Sequence, residues 1–401
     1  MENTPLVIVE TEEALASAVE QMRGEAVLGV DTEADSMHHY QEKVCLIQIS
    51  DSQRDYIVDP LAGFSLEPLN ELMSDPNIVK VFHGADYDVV SLKRDHGFTI
   101  RGVFDTMIAA QLLARPRVGL ADIVGDLFGY VMDKKYQTCD WSERPLTSDQ
   151  LDYARGDTHF LLAVREYFLR GLKRADRLAI AEEEFALVEL REWTQRFDKA
   201  SAFLRVKRAS KLDDAGKKAL RCLWELRDGH AMRMDRPPYK VIPDQVLIKL
   251  AESRPNSTEA LHRIIRGKSS MARRYGDAML KAIAEAAQDE RPLPAAPAKV
   301  RTGTPARHGS RETERLLGQL KDWRKEVLSR DKVPMVLVLS NSQLKAVAGF
   351  RPRTEDELRS LEELRSWQVE RYSTELLTMV HSFEDGLGET KKPRGRRRSR
   401  R

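Results

Sequence analysis

The strongest constraint on what this chain can fold into is an internal repeat in its second half. Asp244-x-x-Leu247-x-x-Leu250-Ala251-x-x-Arg254-Pro255 returns 97 positions later as Asn341-x-x-Leu344-x-x-Val347-Ala348-x-x-Arg351-Pro352. The same offset relates Leu261 to Leu358, Arg274-Tyr275 to Arg371-Tyr372 and Leu280 to Leu377. Trp224 and Trp323 differ by 99, a two-residue length change in the intervening loop. Such self-similarity marks a repeated folding unit. The leucine spacing is helical, Asp244 and Asn341 are the expected N-caps, and each helix halts before Arg-Pro because proline disfavours helix in the residue ahead of it. Two small helical domains are predicted, at 211–290 and 311–385. A proline-rich linker at 291–310 separates them, and a disordered basic tail follows at 386–401, with eight cations in its last eleven residues.

The first 170 residues have another rhythm. Val27–Asp31, Val44–Ile49 and Tyr56–Val58 are short β-branched or apolar runs between polar, Gly-containing breaks, which read as adjacent strands. Leu66–Met73 has helical spacing, Ile78–Phe82 is a further strand, and His83-Gly84 turns the chain into a helix over Asp88–Arg94. After Phe104 the pattern is mostly helical. Thr147 with Gln150 is a capping-box arrangement opening a helix expected to reach Phe168. The class of this part is α/β. A charged helical region, 171–210, connects it to the repeats, with Ala181–Trp193 helical by spacing and a basic stretch at Arg205, Lys207, Arg208 and Lys211.

The formal net charge of +2 conceals two opposite halves. Residues 1–170 hold 15 Lys and Arg against 29 Asp and Glu, a balance of −14, and the remainder balances at +16. Carboxylates to hold metal beside cations to hold phosphate suit a nuclease, although uneven surface charge is also common in proteins without one. Cys45, Cys139 and Cys222 lie far apart with no C-x-x-C pair, which excludes a zinc cluster or a disulfide framework and leaves reduced core thiols. No apolar run approaches a membrane span and the start lacks a secretory pattern, so a cytoplasmic protein without membrane attachment is expected.

The chemistry concentrates in acids at structural junctions. Asp31 and Glu33 end a predicted strand, and their spacing of two sends both side chains to one face while Thr32 faces the other way. Asp88 follows the strand and turn at Val81–Gly84, and Tyr153 and Asp157 are one helical turn apart. If these segments converge, repulsion keeps some acids protonated unless cations neutralise them, and hard oxygen ligands favour magnesium or manganese. Each element alone is usually a cap or a surface pair.

The order of the elements is more informative. Asp-x-Glu after an apolar strand, Asp88 after a strand and turn, and Tyr-x-x-x-Asp in a late helix resemble the DEDD exonucleases whose last motif carries tyrosine. Residues 1–170 resemble ribonuclease D, and the exosome-associated eukaryotic exonucleases too, in VFHGADYD, Phe104-Asp105-Thr106, YQTCDWSERPL and Tyr153-Ala154-Arg155-Gly156-Asp157-Thr158. The repeats resemble HRDC domains. The resemblance implies a ribonuclease H-like exonuclease domain, a mixed sheet flanked by helices, at 1–170, followed by two small all-α HRDC-type domains. It implies 3′–5′ hydrolysis of RNA by two divalent cations, Mg2+ or Mn2+, releasing nucleoside 5′-monophosphates. Asp31, Glu33, Asp88 and Asp157 would be metal ligands and Tyr153 would orient or help deprotonate the attacking water, with positioning the better fit to an unperturbed phenol of pKa about 10. Its spacing selects Asp88 over Asp86, which is then left as a helix-start cap. The implied partner is RNA with a free 3′ end, transfer-RNA precursors foremost.

Other residues carry weaker signals. Arg263, Arg266, Lys268, Arg273 and Arg274 in the first HRDC copy are candidate RNA contacts, and the second copy lacks such a cluster. Gln137, Asp140 and Trp141 could touch substrate, with core packing of Trp141 at least as good a reading. His38 and His39 are expected in an exposed loop, His83 and His159 in packing or hydrogen bonds, and Lys134, Lys135 and Arg155 on a solvated or ion-paired face. A DNA 3′–5′ exonuclease and a noncatalytic RNA-binding scaffold remain alternatives.

Overall fold

The computed structural model describes residues 4–194, 199–265, 269–294 and 310–390. Two compact units are drawn from the chain. One comes from Met1–Val103, Val131–Leu162 and Val188–Val300, the other from Phe104–Tyr130, Ala163–Leu187 and Arg301–Arg401.

The sheet runs in the order β1-β4-β3-β2-β5-β6, from strands β1 (Leu6–Val9), β2 (Val27–Ala34), β3 (Val44–Ser50), β4 (Asp55–Val58), β5 (Val79–Phe82) and β6 (Val103–Asp105). β2, β3 and β4 form an antiparallel meander, while β1 joins β4 and β5 joins β2 in parallel, so the sheet is mixed. Every residue of β3 and β4 is buried, as a strand covered on both faces requires. Helices α1 (Glu12–Met22), α2 (Glu67–Ser74) and α3 (Asp86–His96) intervene between strands. β1 and α1 were not anticipated, because four apolar residues before a Thr11-capped helix give too short a run to stand out. β2 runs three residues beyond the expected Asp31, so Glu33 lies within the strand.

Helix α6 (Ser148–His159), the sixth in chain order after α4 (Thr106–Leu112) and α5 (Leu120–Phe128), opens with the anticipated Thr147–Gln150 capping box. It does not continue to Phe168. It ends at Phe160, and α7 (Leu161–Arg174) begins afresh. The cause of its placement is polar. Asp55 of β4 accepts from Arg155 Nε at 3.0 Å and Nη2 at 2.8 Å, and pairs with His159 Nδ1 at 3.0 Å. Ser50 Oγ lies 2.7 Å from both Asp55 Oδ1 and Thr158 Oγ1. Burial opposes ionisation of Asp55, but the bonds from His159, Ser50 and Arg155 outweigh it and hold the carboxyl below its usual range.

The same unit contains the first repeat: α9 (Asp214–Arg233), α10 (Pro238–Val241), α11 (Asp244–Ser253), α12 (Thr258–Ile264) and α13 (Ser269–Ala287), which follow α8 (Leu178–Glu189) in the chain. The basic stretch at 205–211 forms two 3₁₀ turns that sink Phe203, Val206, Ala209 and Leu212 into this helical core. The other unit holds α4, α5, most of α7, α8, and the second repeat in α14 (Ser310–Asp331), α15 (Asn341–Phe350), α16 (Glu355–Arg359) and α17 (Ser366–Thr390). Asp244 and Asn341 are first-turn residues rather than N-caps, which are Pro243 and Ser340, the latter in a capping box with Gln343. Both repeat helices end with the Arg of Arg-Pro in the left-handed region, Arg254 at φ 46° and Arg351 at φ 56°. Most of the expected linker and the end of the basic tail lie outside the described residues. Among the described residues, no single helix is long and apolar enough to cross a membrane.

Gly29 is where α6 meets β2. A Cβ there would stand 3.0 Å from the Thr158 carbonyl oxygen and 3.2 Å from Leu161 Cβ, and a backbone carbonyl cannot rotate aside. Gly29→Val is therefore expected to destabilise the protein by about 1–3 kcal/mol through overpacking. A urea midpoint equal to that of the wild type would show that α6 is not held this close.

Candidate active site

The acids meet where β2 passes under α6. Asp31 and Glu33 rise from the same face of β2, and α6 brings Asp157 over them. One carboxylate oxygen from each of the three lies within 4.8 Å of the others. Asp88, on the first turn of α3, is buried, and its Oδ1 accepts from Thr32 Oγ1 at 2.5 Å. Thr32 was expected only to face away, yet it positions the fourth acid. Asp88 lies outside that oxygen triad but close enough to bear on the charge of Asp31, Glu33 and Asp157. Asp86 is not a cap: the N-cap is Ala85, and Asp86 is exposed in an ion pair with Arg191 at 3.1 Å.

The carboxyls are recessed although their residues keep partial solvent access. Two like charges 4 Å apart repel by about 4 kcal/mol at an effective dielectric near 20. Burial first, then the neighbouring acids, pushes Glu33 to about 9 and Asp157 to about 7, and raises Asp31 well above its usual value. These are oxygen donors without a nitrogen or sulfur ligand in the group, half-open to solvent, and their mutual repulsion favours either a proton or a cation among them. That donor set fits a hard divalent cation.

Tyr153 stands one turn before Asp157. Burial, then the charges of Asp157, Glu33 and Asp31, raises its phenol above its ordinary range. Its ring is flanked by Trp141 at 5.8 Å and Tyr136 at 6.0 Å between centroids. Trp141 is only 1% exposed, so of its two readings the structure takes core packing. Arg144 anchors that segment through Asp59, with Nη2 to Oδ1 at 2.9 Å, and through the Cys45 carbonyl at 2.9 Å. Gln137 is exposed, whereas Asp140 accepts from Ser142 Oγ at 2.6 Å. Arg155 is buried on Asp55 and unavailable to phosphate, while Lys134 and Lys135 are exposed.

His38 and His39 are not a free loop. His38 Nε2 bonds the Thr138 carbonyl at 3.0 Å, and His39 bridges Ser142 Oγ at 2.8 Å and Asp235 Oδ2 at 2.7 Å. Tyr40 adds a bond from its hydroxyl to Asp228 at 2.8 Å, so the segment after Glu33 is fastened to α9 and the turn beyond it. The hydrogen bond to Asp235 raises the His39 imidazole above its usual value. Arg263 lies on α12 and Arg273 and Arg274 on α13, all exposed. Arg266 and Lys268 lie outside the described residues. A concavity of about 500 Å³ on α7, lined by Tyr167, Arg170, Lys173 and Arg174, is not marked by any motif in the sequence. The sequence shows only that these residues lie on the face of α7 away from the buried Val164, Phe168 and Leu172.

The fold and the acid cluster define an exonuclease domain, followed along the chain by helical domains. Residues 6–173 match the family model described as 3′-5′ exonuclease, and 217–283 and 313–380 each match the HRDC domain. Ribonuclease D of Gluconacetobacter diazotrophicus is 32% identical over 284 residues, covering 70% of this chain and 72% of that protein. The exosome complex component 10 homolog of Caenorhabditis elegans is 31% identical over 290 residues, 71% of this chain but 33% of that protein, so this chain spans about a third of that relative. The crystal structure of Escherichia coli RNase D shares the fold, with a TM-score of 0.69 at 23% identity over 94% of this chain and 98% of that one. This chain belongs to the ribonuclease D family of 3′–5′ exonucleases.

The raised acids make stability depend on pH in a defined direction. The folded protein retains protons that the unfolded chain releases from 3.8 for Asp and 4.5 for Glu. Their contribution is complete below those values and is lost as pH rises through about 7 for Asp157 and about 9 for Glu33. In a chelator the urea midpoint is expected to carry this loss between pH 4.5 and 9, and Mn2+ is expected to raise it more at the alkaline end. A manganese effect independent of pH would mean that these acids share no cation.

Proposed function

We propose that the protein is a metal-dependent 3′–5′ exoribonuclease that trims structured RNA, transfer-RNA precursors among them, and releases nucleoside 5′-monophosphates. The observation that carries this reading is the meeting of the Asp31, Glu33 and Asp157 oxygens within 4.8 Å beside Tyr153. Family membership supports RNA as substrate, and the related E. coli enzyme is described as an exoribonuclease involved in structured RNA processing.

Asp31, Glu33, Asp88 and Asp157 would hold two divalent cations, magnesium or manganese. Such ions supply charge neutralisation, activation of water and stabilisation of the departing 3′ oxygen. The protein's own contribution is placement. Tyr153, with its phenol raised, stays protonated at neutral pH and donates a hydrogen bond to the attacking water instead of removing its proton. Trp141 and Tyr136 restrict the ring that does so. Arg263, Arg273 and Arg274 offer exposed cations to the RNA backbone.

The test is product analysis on matched 3′-labelled RNA and DNA oligonucleotides. Labelled nucleoside 5′-monophosphate from RNA is expected. Asp31→Asn should slow release by roughly 10²- to 10³-fold, the equivalent of several kcal/mol of lost transition-state stabilisation. Tyr153→Phe should slow it by about 10²-fold with RNA affinity unchanged. Cleavage confined to DNA, or equal release by Asp31→Asn, would overturn the assignment. Replacing Arg263, Arg273 and Arg274 together by alanine should weaken RNA binding and flatten its salt dependence, by roughly 0.7 in log–log slope for each phosphate no longer neutralised. An identical slope would remove that surface from the binding site.

A further inference from the structure

β3 is an apolar strand interrupted by one carboxamide. In VCLIQIS every residue is buried, and Gln48 has no exposed surface. Ser50, the strand's last residue, is satisfied by Asp55 and Thr158. Gln48 is not: neither Nε2 nor Oε1 finds a hydrogen-bond partner among the described residues. A carboxamide brings two donors and a carbonyl with two lone pairs, and leaving all of them unpaired in a buried strand is destabilising. A leucine would fill that place without the penalty.

The position of Gln48 explains what the carboxamide is for. Gln48 is the direct cross-strand partner of Asp31. Paired residues on antiparallel strands send their side chains to the same face. That face is the one α6 covers, because Ser50, two residues along, bonds Thr158. Gln48 therefore lies beneath the helical turn that carries Asp157 and beside the strand position that carries Asp31. Its unused donors and acceptor sit between the two segments whose carboxylates converge.

We propose that Gln48 is a positioning residue for the cation site, donating from Nε2 to the Asp31 carboxylate when that carboxylate engages a divalent ion. The bond fixes which oxygen Asp31 turns toward the ion, as groups behind a metal ligand generally do. A carboxamide that the neighbouring residues leave unpaired is then an instability retained for its role at the site. This inference rests on reading Asp31, Glu33 and Asp157 as a cation site.

The test combines two measurements on Gln48→Leu, with Gln48→Met as the second variant should leucine not fold. Urea unfolding is followed in a chelator, and Mn2+ binding is followed by electron paramagnetic resonance, with Asp31→Asn as control. Gln48→Leu is expected to raise the metal-free urea midpoint while weakening Mn2+ binding about 10- to 100-fold. Opposite signs in one variant are what a purely structural residue would not give. Wild-type Mn2+ affinity in a folded Gln48→Leu or Gln48→Met protein overturns the positioning role and leaves the cation site standing. Wild-type protein binding no more Mn2+ than Asp31→Asn overturns the cation site and this role with it.

Discussion

The structure depends on Asp55 holding α6 against the sheet. Three acids whose oxygens approach within 4.8 Å repel one another, on the order of 4 kcal/mol for each charged pair at that range. Dispersing them would be easy if the helix carrying Asp157 were attached only by apolar packing. Instead Arg155, Thr158 and His159, which bracket Asp157 along α6, all bond Asp55 or its neighbour Ser50. Breaking a buried pair such as Arg155–Asp55 costs about 3–5 kcal/mol. The clamp is therefore of the size of one charged pair out of the three, and protons on Glu33 and Asp157 relieve the repulsion that it leaves.

Legibility in the sequence followed how local each cause is. β3, β4, β5 and the Thr147–Gln150 cap could be read because an apolar run or a capping box needs only a few adjacent residues. The break at Phe160 could not. Leu161, Val164, Phe168 and Leu172 continue a helical period with no proline or glycine to mark the interruption. The clamp is equally silent, since Asp55 is a hundred residues from Arg155 and looks like any turn acid.

The site shows the same division. Asp31, Glu33 and Asp157 were nominated by spacing on a strand and a helix, and the fold brings their oxygens together. Choosing Asp88 over Asp86 needed a family spacing, and what physically separates them is burial: Asp88 is 6% exposed, whereas Asp86 lies at the surface on Arg191. Thr32 as the holder of Asp88, and His39 as the tie to Asp235, depend on contacts across 56 and 196 positions. Gln48 carried no signal, because a single polar residue in a strand reads as an outward-facing one until the strand proves to be covered on both sides.

The two repeats differ in how they hold equivalent arginines. Arg254 and Arg351 occupy equivalent left-handed positions after α11 and α15. Arg254 reaches an exposed pair with Asp213, whereas Arg351 is 4% exposed, bonded to Glu312 and stacked on Phe383 at 5.3 Å. Elsewhere in the second copy Arg330 is committed to Glu375, Arg353 to Glu384 and Arg365 to Glu184 of α8, while Glu183 caps the backbone of Ser366. Cations already engaged with carboxylates have little left to offer phosphate. These four arginines of the second copy are thus spent on contacts within its own unit, whereas Arg263, Arg273 and Arg274 of the first copy stay exposed.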